Sequence, residues 1–184
     1  MIKNEISHII NISVVRGEEL CSDATAGNIE KAVKSTLGVE KVNYGCEINV
    51  EITDNFQIQQ LNKEYRGKDS PTDVLSFPMI EPDKINHIKI SEKNKILKIF
   101  SDEINPENGL VLLGDIVISV EKAKEQSEEL NQSLDRELIF LAIHSTLHLL
   151  GCDHELSEES DLIMRKKQKE IIKYIEYSEN ENNE

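Results

Sequence analysis

Three of the chain's five histidines fall within eleven residues, H-S-T-L-H-L-L-G-C-D-H, spanning 144–154. On a helix, four residues turn the chain by about 400°, so His144 and His148 share one face. A helix continuing to His154 would rotate that position away from His144. Gly151 resolves the conflict, because a glycine in the left-handed conformation ends a helix and folds the chain back. The stretch therefore predicts a helix that stops at Gly151 and a third imidazole returned to the first two. Three neutral imidazoles at about 2.0–2.1 Å leave one tetrahedral position open, the catalytic arrangement for zinc. Imidazole also suits nickel, copper and iron. Beside the third histidine, Asp153 is a candidate acceptor for an imidazole N–H or an exposed turn residue. Cys152 reads as a small buried thiol.

The same ligand spacing occurs in the metzincin proteases, H-E-x-x-H-x-x-G-x-x-H. The three histidines and the glycine match. Ser145 stands where the protease carries its glutamate, the general base of peptide hydrolysis. The pattern thus holds a metal cage without the proteolytic base.

The rest of the chain can bury a core around such a site. Its 184 residues favour one domain, placed at 1–175, and are 38% hydrophobic and 30% charged. Lys and Arg number 21 against 35 Asp and Glu, a net charge of −14, which excludes a generally basic nucleic-acid coat. Residues 176–184 carry four glutamates and read as an acidic, disordered tail. Cys21, Cys46 and Cys152 form no C-x-x-C pair, as expected of reduced thiols. No apolar run approaches the 18 or so residues of a membrane span, and no leader pattern opens the chain. A cytoplasmic protein is the expectation.

Local patterns set the element order. Residues 9–15 read as a strand. Ser22 or Asp23 caps a helix bearing Ile29, Ala32, Val33 and Leu37, stopped by Gly38. Cys46, Ile48, Val50 and Ile52 alternate with polar residues, a half-buried strand. Asp54 caps a helix with Ile58, Leu61 and Tyr65 on one face. Gly67, Ser70 and Pro71 mark a loop carrying Arg66 and Lys68, followed by a short strand, Val74–Phe77. Residues 79–109 are irregular, with a hairpin around 91–95. Residues 111–119 suit a strand buried on both faces. Helices follow at 120–131, 134–150 and from about 157, the last holding Leu162, Ile163, Ile171 and Ile172. Helices gathered at the end of the chain indicate an α+β fold, a small mixed sheet packed with helices.

The pattern H-x-x-L-H-L-x-G-x-D-H resembles the signature of the YbeY endoribonucleases, bacterial rRNA maturation factors. N-K-E-Y-R-G-K-D-S-P-T-D-V-L-S-F-P, residues 62–78, and L-G-D-I-V-I-S, residues 113–119, resemble two further motifs of that family, and Arg136-Glu137 falls where it carries Arg-Glu. The resemblance spans roughly 45–175. It implies a zincin-like metal-dependent hydrolase architecture. It also implies a zinc-dependent, single-strand-specific endoribonuclease that matures small-subunit rRNA near its 3′ end and serves ribosome quality control. One zinc per chain is implied, held by His144, His148 and His154, with Arg66 as the family's functional arginine. The partners implied are single-stranded rRNA and the ribosome or its small subunit, not DNA or membrane. Ser145 and Cys152 depart from the family's commoner Gly and Tyr, at positions that are not ligands.

Chemistry supports these roles. A phosphodiester gathers negative charge on its equatorial oxygens at the transition state, and a guanidinium such as that of Arg66 receives it bidentately. Lys68 is a candidate RNA contact. Asp73 and Asp115 are candidate acceptors for a ligand imidazole or capping residues; Asp115, within a buried strand, needs a partner, and packing or hydrogen bonding explains it as well as catalysis does. Lys84, Lys89, Lys93, Lys95 and Lys98 against Glu92 form either an RNA-facing arm or an edge hairpin guarded by lysines. Two other functions share the histidine pattern: a metalloprotease, which lacks its base at Ser145, and a non-catalytic assembly factor with structural zinc, which requires a fourth ligand from Cys152 or Asp153.

Overall fold

The computed structural model describes residues 6–81, 84–85, 102–152 and 157–181. Four strands make one mixed sheet: β1 (Ile9–Val14), β2 (Cys46–Thr53), β3 (Val74–Pro78) and β4 (Val111–Ser119). Their order is β1-β2-β4-β3. The first three in that order run parallel, and β3 is antiparallel to β4 at the edge. Among the described residues these α-helices accompany it: α1 (Asp23–Val39), α2 (Asn55–Arg66), α3 (Val120–Glu129), α4 (Leu134–Leu149) and α5 (Glu158–Glu181). The α+β architecture is as expected.

Alternation divides the sheet into two unlike faces. Cys46, Ile48, Val50 and Ile52 of β2 and Ile116 and Ile118 of β4 are buried against α1 and α4 in the main core. The opposite face is polar along β2, and α2 covers only the β3–β4 side of it, through Ile58, Leu75 and Val117. The strand 111–119 is buried on both faces over 116–119, where Val117 and Ser119 lie on the α2 side. Asp115 points to the polar side and accepts from Asn49 Nδ2 at 2.7 Å.

Helix starts follow their caps. The Ser22 Oγ accepts from the Thr25 amide, Asp54 from the Gln57 amide and Ser133 from the Arg136 amide, each relieving an orphan donor. The end of α1 differs from expectation. Gly38 stays helical and the turn falls at Lys41, with φ 57°, where the Val42 amide reaches the Leu37 carbonyl. The helix at 120–131 likewise ends at Glu129.

The last helix departs twice from the pattern read in sequence. Met164, Ile171 and Ile175 form its buried stripe, whereas Leu162 and Ile163 are 67% and 48% exposed. The helix also runs through Glu181, into the stretch expected to be a disordered tail. Buried Ile175, an ion pair between Arg136 and Glu176 and the Ser178 hydroxyl bonded to the Tyr174 carbonyl accompany that extension. Among the described residues no helix is long and apolar enough to cross a membrane. Cys21, Cys46 and Cys152 form no disulfide among the described residues. The expected hairpin around 91–95 lies outside the described residues. So do four of the five lysines of segment 84–98, while Lys84 pairs with Glu103 at 2.6 Å.

Candidate active site

Helix α4 carries the histidines as the four-residue spacing requires. Its polar positions His144 and His148 turn toward β3, while Ile143 and Leu147 are fully buried. The two imidazoles stand edge to face, ring centroids 4.7 Å apart, and Phe140 stacks on His144 from the preceding turn. Gly151, with φ 79°, ends the helix region in the left-handed conformation expected of it, its amide bonded to the His148 carbonyl. His154 and Asp153 lie outside the described residues. Among the described residues no set of three His, Cys, Asp or Glu gathers as a metal cage.

The two histidines line a cavity of about 700 Å³ together with Arg66, Thr72, Asp73 and Ser76. Strand β3, at the edge of the sheet among the described residues, forms one wall. Arg66 is brought to the histidines, though not from a loop. It is the last residue of α2, where its charge also suits the helix C-terminus, and Gly67 caps it with φ 69°. Lys68 is exposed beyond that cap and is not among the residues lining the cavity. Asp115 is on the far face of the sheet, beside Asn49 and Glu51 in a separate cavity. One residue of strand register separates it from Ile116, which faces α4, so it is not placed to accept from His144 or His148.

Asp73 is the carboxylate that lines the histidine cavity. It accepts from the Thr72 hydroxyl at 3.0 Å, the Val74 amide at 2.9 Å and the Gln126 side chain at 3.1 Å. Seven residues before His144, on the same face of α4, Glu137 is 3% exposed and receives the Gln132 amide. Burial is the chief cause that pushes its carboxyl above the ordinary value, and the charge of Asp73 adds to it. Ser145 is fully buried, its hydroxyl without a partner among the described residues. Cys152 packs part-buried against the main core.

A family model described as "Endoribonuclease YbeY" matches residues 12–176. The chain belongs to the endoribonuclease YbeY family. That span contains every element from β2 to α4, and with it Arg66 and the three histidines. Relatives named endoribonuclease YbeY are 46% identical in Thermoanaerobacter sp. (strain X514), over 78% of this chain and 83% of that protein. The identity is 47% in Caldanaerobacter subterraneus subsp. tengcongensis, over 80% and 85%. The fold is similar to the solution structure of TM1509 from Thermotoga maritima, at 26% identity, a TM-score of 0.54 and 96% of each chain.

Asp73, already a candidate in the sequence, lines the cavity from the loop before β3. One residue beside the histidines was not singled out in the sequence. Gln168 of α5, 5% exposed, places its side-chain amide 2.9 Å from His144 Nδ1. The available signal was a glutamine between Met164 and Ile171, a polar residue on an otherwise apolar stripe.

Proposed function

We propose that this chain is a zinc-dependent, single-strand-specific endoribonuclease. In this reading it acts in the maturation of small-subunit rRNA near its 3′ end and in ribosome quality control. The observation that carries the proposal is the meeting of Arg66 with the His144–His148 pair in one cavity. Membership of the endoribonuclease YbeY family supports it.

The donor set fits zinc. Two imidazoles on consecutive turns of one helix give an all-nitrogen pair, and His154 is the proposed third ligand. With Nδ1 of His144 engaged by Gln168, Nε2 is the nitrogen that ligation would use. Bound there, zinc supplies Lewis acidity toward a phosphoryl oxygen. Arg66, across the cavity, receives the charge that develops on the other phosphoryl oxygens, and its fork orients the phosphate. Cytoplasmic location and docking on the ribosome belong to the same proposal.

The protease alternative is disfavoured at Ser145, which offers a buried hydroxyl in place of a carboxylate. Among the described residues the carboxylate that lines this cavity, Asp73, is already held by three donors.

The test is one RNA sequence presented unpaired and annealed to its complement. Cleavage of the unpaired form alone, with a casein substrate left intact, is expected. Equal cleavage of both forms contradicts the single-strand preference, and casein hydrolysis contradicts the nuclease.

A further inference from the structure

Gln168 occupies a position that the helix pattern reserves for an apolar side chain. It sits on the α5 stripe between Met164 and Ile171, which are 2% and 0% exposed, and is itself 5% exposed. Burying an amide there is costly unless it is hydrogen-bonded. Its amide nitrogen, Nε2, lies 2.9 Å from His144 Nδ1, 24 residues away in sequence. The amide therefore addresses a ring nitrogen on a different helix, not its own backbone.

The chemistry of that contact is directional. A neutral imidazole ligating through Nε2 carries its proton on Nδ1 and needs an acceptor there. A glutamine amide can present either end, and the two are exchanged by a half-turn of the terminal torsion. The amide oxygen turned to Nδ1 selects one tautomer and stops the ring from rotating. Phe140, stacked on the ring at a centroid distance of 6.3 Å, restrains it in the perpendicular direction.

We propose that Gln168 is a positioning residue for metal binding: its amide oxygen accepts from His144 Nδ1–H and holds Nε2 toward the ion. This rests on the zinc reading above. Helix α5 is thereby part of the site, although none of its residues is a proposed ligand.

The experiment measures zinc affinity of the full chain by competition with a chromophoric chelator, in the unmodified protein, Gln168→Leu and Gln168→Glu. The His144 tautomer in the zinc-loaded protein is read by long-range proton–nitrogen correlation. Gln168→Leu is expected to bind zinc about 10–100-fold more weakly, the usual effect of losing a ligand's orienting partner. Gln168→Glu, which keeps an acceptor, is expected to stay within about threefold of the unmodified chain. His144 is expected to carry its proton on Nδ1. Unchanged affinity in Gln168→Leu, equal losses in both variants, or zinc on Nδ1 would each overturn the positioning role while leaving zinc binding intact. An unmodified chain that binds no zinc would overturn the zinc reading itself, and this inference with it. Should Gln168→Leu not fold, the tautomer and the Gln168→Glu affinity still decide.

Discussion

Gly114 lies so close to Phe77 that a Cβ on it would sit 2.2 Å from the Phe77 carbonyl oxygen. Its φ of 141° is one that side-chain-bearing residues rarely adopt. The position follows a bulge in β4, where the register with β2 jumps between Glu47 and Ile48. Close approach here is what lets β3 lie along β4 and wall the histidine cavity.

Gly114→Ala should therefore destabilise the fold by about 2–4 kcal/mol, from backbone strain and the displaced strand together. Urea unfolding measures the loss. A change under about 0.5 kcal/mol would mean that β3 tolerates displacement.

Arg66 ends α2 and is exposed, so its removal should leave folding alone. Arg66→Ala should lower kcat/KM for unpaired RNA about 10²–10³-fold, the scale of losing one transition-state donor. Its Tm should move by no more than about 2 °C. Arg66→Lys should recover little, because an ammonium lacks the planar fork. Full activity in Arg66→Lys would reduce the residue to a point charge.

Glu137 ties stability to pH. Burial and the neighbouring charge of Asp73 raise its carboxyl above the ordinary 4.5, against the hydrogen bond from Gln132, which lowers it. The folded chain thus holds this proton where the unfolded chain has lost it. Stability from this group is complete below about 4.5 and falls as pH rises through the higher folded value. Glu137→Gln, which keeps an acceptor for Gln132, should remove that fall. Denaturant unfolding of both proteins between pH 4 and 8 checks it, with the variant gaining relative to the unmodified chain as pH rises. A constant difference across that range would refute the assignment.

How much could be read in advance depended on whether a residue's partner lay nearby in sequence. Alternation placed Cys46, Ile48, Val50 and Ile52 in the core, because side-chain direction in a strand is a local property. The four-residue spacing of His144 and His148, and the turn at Gly151, were local in the same sense. The choice between roles for Asp115 stayed open because its partner, Asn49, comes from a strand 66 residues away. Residues 176–181 were read as part of the tail because Glu176 looked like one more solvated acid, whereas it pairs with Arg136 on α4. Gln168 escaped for the same reason: its meaning lies in His144, on another helix.

The central claim is that metal and histidines together cleave RNA. The most direct measurement follows an end-labelled, single-stranded fragment from the 3′ end of small-subunit rRNA. The protein is used as purified, stripped of metal, restored with zinc, and as His148→Ala. The account predicts cleavage that vanishes on stripping, returns with zinc and is absent from the variant. Cleavage that survives both stripping and the His148→Ala change would contradict it.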